Sequence, residues 1–267
     1  MTAVAVVIPC WNAGDTLEEA VESARAQTHT PIEIVVVDDG SDDAATQRVL
    51  ERLPTNVRVM RQENRGLPAA RNAGIRATSA PCFVPLDADD RIEPDMVARC
   101  LRVLEQEPRL GYVYPDLRFF GEKDGVHRQL PYNFYDELFQ NQITVCALIR
   151  REAWAAAGGY DEAMTDGAED WEFWISLGER GWHGRRIEAP LFHYRVRAGS
   201  MSERTRARLE EIFVGIRGRH STLYSAESLA RLRREWKGPW NRRDPASWIQ
   251  RAQRAARRAL GRAGSAS

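Results

Sequence analysis

Residues 82–90 read Cys-Phe-Val-Pro-Leu-Asp-Ala-Asp-Asp, an apolar run from Phe83 to Leu86 that ends in three carboxylates, Asp87, Asp89 and Asp90. A short apolar run closed by polar residues reads as a buried strand. Open parallel α/β sheets bind ligands beyond the carboxyl ends of their strands, so acid delivered there is well sited to hold a divalent cation. The plainer reading of the same residues is a capped, solvated turn before a helix that starts near Pro94, since Asp is common in turns and caps. The neighbouring segments decide between the two.

Upstream, Val4 to Ile8 is a β-branched run stopping at Pro9, as expected for a strand buried on both faces. Trp11 to Gly14 forms a loop, Thr16 can cap the next helix, and Leu17, Ala20, Val21 and Ala24 recur at helical spacing. Ile32 to Val37 is a second buried strand, ending in Asp38, Asp39, Gly40 and Ser41, with a helix near Ala44 to Arg52. Val57 to Met60 is a third strand, followed by a polar stretch and a helix that Pro68 opens. With Cys82 to Leu86 as the fourth strand and a helix over Pro94 to Gln106, the order is regular βαβα, which implies a mainly parallel central sheet covered by helices.

Beyond Leu110 the pattern changes. Strands are expected at Tyr112 to Tyr114, Leu117 to Phe120, Ile143 to Ile149 and Leu191 to Val196, and helices at Arg151 to Ala157 and Ala168 to Arg180. After Ser202 the chain reads as helical and polar.

The 267 residues can bury a large core, and Lys plus Arg equals Asp plus Glu at 38 each. The balance is uneven: positions 231–267 carry eleven Arg or Lys against Glu235 and Asp244, leaving the body acidic. An acidic body argues against a nucleic-acid partner. No apolar run approaches the roughly 20 residues that span a bilayer, and the first residues lack the features of a leader, so a cytoplasmic protein is expected. Cys10, Cys82, Cys100 and Cys146 have no zinc-like or redox spacing and are expected as buried free thiols.

Taken together, Val6 to Asn12, Val35 to Ser41, Asn64 to Gly74, Asp87 to Asp90 and Glu169–Asp170–Trp171 resemble, in order and spacing, family 2 glycosyltransferases of the GT-A fold. The resemblance covers about the first 200 residues. It implies a GT-A domain over 1–202, with a nucleotide-binding half at 1–107 and an acceptor half at 108–202; residues 203–267 lie outside the resemblance and read from their own composition as a helical, basic extension. It also implies an inverting, metal-dependent enzyme that takes a nucleotide-sugar donor, UDP- or dTDP-linked, and a carbohydrate or lipid-linked acceptor.

On that resemblance Pro9 and Trp11 line the nucleotide, with Trp11 as the flat wall for the base or, alternatively, as ordinary core. Asp39 accepts from the imide nitrogen of the base while Asp38 is structural. Asn64 closes over base and ribose, Arg71 donates to the nucleotide, and Asp87 faces the ribose or a metal-bound water. Asp89 binds Mn²⁺ or Mg²⁺, hard cations that suit carboxylate and phosphate oxygens, and Asp90 serves the local turn and helix. Asp170 is the general base; helix-terminal charge is its plainer role.

One stretch departs from the family pattern, because Tyr194, Arg195 and Val196 are followed by Arg197 where many members have a metal-binding His. Arg197 is then expected to neutralise the diphosphate, with His193 as a weaker metal candidate and Ser200 to Ser202 as a loop over the diphosphate. Two alternatives stay open: a non-catalytic nucleotide- or glycan-binding module, and a sugar nucleotidyltransferase, against which Pro9 to Asp15 offers no Lys or Arg. For the tail, Trp236, Trp240 and Trp248 could seat an Arg-rich segment on the anionic inner face of a membrane, or pack it on the body.

Overall fold

The computed structural model describes residues 1–198, 205 and 207–236. In chain order the first half comprises β1 (Val4–Cys10), α1 (Leu17–Arg25), β2 (Ile32–Asp38), α2 (Ala44–Arg52), β3 (Val57–Arg61), α3 (Leu67–Arg76), β4 (Cys82–Pro85), β5 (Arg91–Ile92) and α4 (Met96–Gln106). Then follow β6 (Leu110–Gly121), β7 (Gly125–His127), α5 (Phe134–Glu137), β8 (Leu148–Arg150), α6 (Arg151–Ala157), α7 (Glu169–Glu179), β9 (His183–Val196), α8 (Leu209–Arg219) and α9 (Ala226–Glu235).

These strands form one sheet in the order β3-β2-β1-β4-β8-β6-β9-β5, with β7 paired to β6. The first four are mutually parallel, as the βαβα order demands. Beyond β4 the sheet is mixed: β8 runs antiparallel to β4 and β6, whereas β6 and β9 are parallel. Two expected short strands are one element, because bulges near Pro115 and Asp116 bend β6 without ending it. The expected strand over Ile143 to Ile149 is reduced to the end that pairs, β8. Pro9 does not stop β1 but lies buried inside it, opposite Val37, at a point where β4 no longer pairs. Thr16 makes no cap hydrogen bond; its hydroxyl donates to the Ala13 carbonyl at 3.4 Å.

Side chains of β1 alternate between two faces. Val4, Val6 and Ile8 pack with apolar residues of α1 and α4, while Ala5 and Val7 pack with Ile75 of α3 and Phe173, Trp174 and Leu177 of α7. A third cluster joins α5 and α7 to Ile212, Phe213 and Ile216 of α8 and Leu232 of α9. Helix α7 is therefore buried nearly all round: Trp174 lies against Tyr112 on the sheet side (ring centroids 4.6 Å), and Trp171 stacks on Phe213 on the other (5.8 Å). Trp236 packs on the body, its ring against Tyr132 and His183 and its carbonyl accepting from Asn133, so this residue takes the packing role. Trp240, Trp248 and Ser200 to Ser202 lie outside the described residues. All four cysteines are buried and free, and no described helix is long and apolar enough to cross a membrane.

Two consequences are measurable. Gly74 lets α3 lie close on the sheet: a Cβ there would sit 2.3 Å from Cγ1 of Val7 and 2.9 Å from Cγ2 of Val37. Overpacking costs about 1–3 kcal/mol against the roughly 1 kcal/mol that Ala gains over Gly in a helix, and two stiff β-branched neighbours place this site toward the high end. Gly74→Ala should lower the urea midpoint; a midpoint at or above wild type would show that α3 can move off the sheet.

His220, just after α8, is buried with Nε2 2.9 Å from Glu172 and Nδ1 3.0 Å from Glu179. Both nitrogens face carboxylates, so both must carry protons. Burial opposes that charge, but the bonds to Glu172 and Glu179 outweigh it and raise the imidazole above its ordinary 6.5. The stabilisation is complete below that ordinary value and is lost as pH climbs through the raised one. The melting temperature of wild type should therefore fall more between pH 6 and pH 9 than that of His220→Gln; parallel curves would contradict it.

Candidate active site

Because β2, β1 and β4 are adjacent and parallel, their carboxyl ends open on one edge, and each ends in a residue singled out above. Trp11 follows β1 and is 58 % exposed, so it is not core; its ring stands free at the strand end as a flat surface. Asp38 closes β2, accepting from Ser41 N–H at 2.8 Å, a structural role. Asp39 is buried and organises the next loop: it accepts from Gln62 Nε2 at 2.7 Å, Arg65 N–H at 3.0 Å and Gly66 N–H at 2.8 Å. A carboxylate has about four acceptor directions, so these three bonds leave room for a ligand donor. Asn64 is exposed within that loop, its backbone packed on Gly40, whose φ of +74° suits glycine.

Arg71 departs from its expected role. It is 1 % exposed, and its terminal nitrogens bond Asp87 at 2.6 Å and Glu169, with Tyr160 beneath the guanidinium at 5.6 Å. Burial works against its charge, but Asp87 and Glu169 more than offset that and keep it a cation. Arg71 therefore positions Asp87 and ties the end of β4 to the start of α7, each of its terminal nitrogens engaged by a carboxylate.

The acidic turn is held from the other side by β9. Arg195 N–H donates to buried Asp90 at 2.8 Å, and Arg195 Nε donates to the Asp89 carbonyl at 2.8 Å. Asp90 thus anchors the turn to β9 and does not cap the following helix; burial and the charges of Asp89 and Asp87 push its carboxyl well up. Arg197 pairs with Asp89 Oδ2 at 3.1 Å. Burial, then the Asp87 charge, raises the Asp89 carboxyl too, against the pull of Arg197. His193 bonds Glu93 at 2.6 Å and faces Phe120, so it does not join Asp87 and Asp89 as a metal candidate.

Among the described residues no group of three or more His, Cys, Asp or Glu side chains could cage a metal. Asp87 Oδ2 and Asp89 Oδ1 lie outside the arginine pairs, and both side chains are about one quarter exposed. Two hard carboxylate donors fit Mg²⁺ or Mn²⁺ when phosphate and water complete the shell, and do not fit zinc.

Asp170, next to Glu169 at the start of α7, is half-buried and accepts from Trp171 N–H at 2.7 Å and Asn141 Nδ2 at 3.2 Å. Burial and the Glu169 charge push its carboxyl up to about 7, against Arg71 and these bonds. That suits a group that must take a proton near neutrality. Asn141, Tyr160 and the double role of Arg195 had no sequence signal, since each acts through a contact between distant segments. Tyr112 and Tyr114 are core, and Glu162 of the 158–166 loop bolts that loop to Asn72, Arg65 and Arg76.

Residues 5–156 match glycosyl transferase family 2. Among curated proteins, chondroitin synthase of Escherichia coli is 31 % identical over 67 % of this chain, and succinoglycan biosynthesis protein ExoO of Rhizobium meliloti is 40 % identical over 37 %. The chain spans 27 % of the former and 28 % of the latter. Two solved structures share the fold. The S. aureus TarS fragment 1–349 in complex with UDP-GlcNAc has a TM-score of 0.68 at 15 % identity, covering 87 % of this chain and 69 % of that one. Mannosyltransferase PcManGT from Pyrobaculum calidifontis, in complex with GDP-Man and Mn²⁺, has a TM-score of 0.62 at 22 % identity, covering 99 % and 75 %. With a match over more than half its length and its acidic strand ends gathered on one edge of a GT-A sheet, the chain belongs to glycosyl transferase family 2.

Proposed function

We propose that the chain transfers a sugar, with inversion, from a UDP- or dTDP-sugar to an acceptor hydroxyl. The observation that carries this reading is the Asp87–Arg71–Glu169 link, which fixes a donor-side acid and the α7 terminus bearing Asp170 in one frame. Trp11 offers the base a stacking wall, Asp39 accepts from its imide N–H, and Asn64 covers the ribose. Asp89 and Asp87 would hold Mn²⁺ or Mg²⁺, which when bound neutralises charge growing on the departing diphosphate. Arg197 faces the same diphosphate. Asp170 takes the proton of the attacking hydroxyl, and attack opposite the leaving group inverts the anomeric carbon. One catalytic carboxylate suffices because a diphosphate leaves readily, unlike the alkoxide of a glycosidase substrate. The UDP-GlcNAc and GDP-Man–Mn²⁺ complexes of the fold relatives support such a donor, and the names of the sequence relatives support a polysaccharide or glycoconjugate product. The basic stretch 231–267 would bring the enzyme to an anionic membrane surface bearing lipid-linked acceptors.

Incubation with Mn²⁺ and a panel of UDP-, dTDP- and GDP-sugars should release nucleoside diphosphate from one donor. Asp170→Asn should cut turnover by about 10²–10⁴ while leaving donor affinity intact, which separates an enzyme from a mere binding module. Wild-type turnover in that variant would remove Asp170 as base, and a panel in which no nucleotide raises the melting temperature would remove the donor site. Because the base must be ionised and the Asp170 carboxyl of the free protein is pushed up to about 7, kcat/KM should fall as pH drops through neutrality.

Arg71→Lys keeps the charge but cannot fork between two carboxylates. Breaking one side of a buried ion pair costs about 3–5 kcal/mol, so the variant should lose stability in urea and also kcat, through misplacement of Asp87. A variant stable and active as wild type would show that the link is dispensable.

A further inference from the structure

Asp87 and Asp89 are each paired with an arginine, but the two pairs differ in kind. Arg71 is sealed in, 1 % exposed, with Glu169 on its second nitrogen, and cannot leave Asp87 without stranding buried charge. Arg197 sits one residue past the end of β9; its side chain is 47 % exposed, Asp89 is its one ion-pair partner among the described residues, and the bond is 3.1 Å. Turning it into solvent leaves unpaired only Asp89, whose side chain is itself about one quarter exposed. Arg195, the neighbouring cation, is already engaged by Glu19 and the Asp89 carbonyl, so it does not take over from Arg197.

We propose that Arg197 is a displaceable counter-ion on Asp89, so that a divalent cation binds this site well only together with a nucleoside diphosphate. The inference rests on the donor site described above. A guanidinium on Oδ2 of Asp89 and a dication on the same carboxylate repel each other, and the pair must open for the cation to be bound closely. Without an anion nearby, the opened Arg197 gains only water. With a diphosphate present it gains a forked, doubly bonded partner, for which guanidinium geometry is suited. Metal and nucleotide then favour each other by the same factor, as linkage requires. The expected size follows from the pair: a half-exposed ion pair is worth up to about 1 kcal/mol, or roughly fivefold in affinity.

The probe is Mn²⁺ itself, followed by loss of the free-ion electron paramagnetic resonance signal, with and without UDP. Arg197→Ala should bind Mn²⁺ alone about fivefold more tightly than wild type. The same variant should bind UDP alone more weakly, and UDP should enhance its Mn²⁺ affinity less than it does in wild type. Arg197→Lys, which keeps the positive charge, should stay near wild type for Mn²⁺ alone. If Arg197→Ala binds Mn²⁺ alone no better than wild type while both bind it with UDP, the counter-ion role is wrong and the donor site stands. If neither protein binds Mn²⁺ even with UDP or dTDP, both readings fall together.

Discussion

A single buried guanidinium organises the site. Arg71 lies where three separately folded segments meet, on α3, between the acidic turn after β4 and the first residue of α7. A charge this deeply enclosed is tolerable only with matched carboxylates, and those carboxylates are tolerable there only because of it. Moving any of the three segments breaks a bond that water cannot replace. The turn carrying Asp87 and Asp89 and the helix start carrying Asp170 are thereby set relative to each other.

The surrounding packing makes that arrangement stiff. Helix α7 is clamped between the sheet, through Trp174 on Tyr112, and α8, through Trp171 on Phe213, so its terminus has little freedom to tilt. On the opposite flank Arg195 staples the acidic turn to β9 by one main-chain and one side-chain bond. The carboxylates Asp87, Asp89 and Asp170 thus sit on a turn and a helix start whose anchors are buried. The exposed groups, Trp11, Asn64 and Arg197, are the ones that can adjust to a ligand.

Much of this frame was legible beforehand. Short apolar, β-branched runs identified the parallel strands, two of them ending in Asp, because a strand covered on both faces admits little else. The family resemblance on Val35 to Ser41 and Asp87 to Asp90 pointed to the edge where the structure gathers Asp39, Asp87 and Asp89. Less legible was the second half, where β6 continues through Pro115 by bulging and the strand expected over Ile143 to Ile149 shrinks to Leu148–Arg150, since pairing partners, not local pattern, set those limits. Charged residues were read least well. Arg71 and Arg197 look alike in sequence, yet one is sealed between two acids and the other is half in water.

The order of the elements, the sheet edge that carries acid, and the residue types offered there follow from the sequence by itself, because hydrophobic period and strand-end chemistry are local properties. The partner of each charge was decided by tertiary structure alone: Asp87 with Arg71, Asp89 with Arg197, Asp90 with the backbone of Arg195, His193 with Glu93. The physical reason is that an ionisable side chain's role depends on its burial and on charges a few ångströms away, and here those charges come from segments as far apart in the chain as α3 and α7.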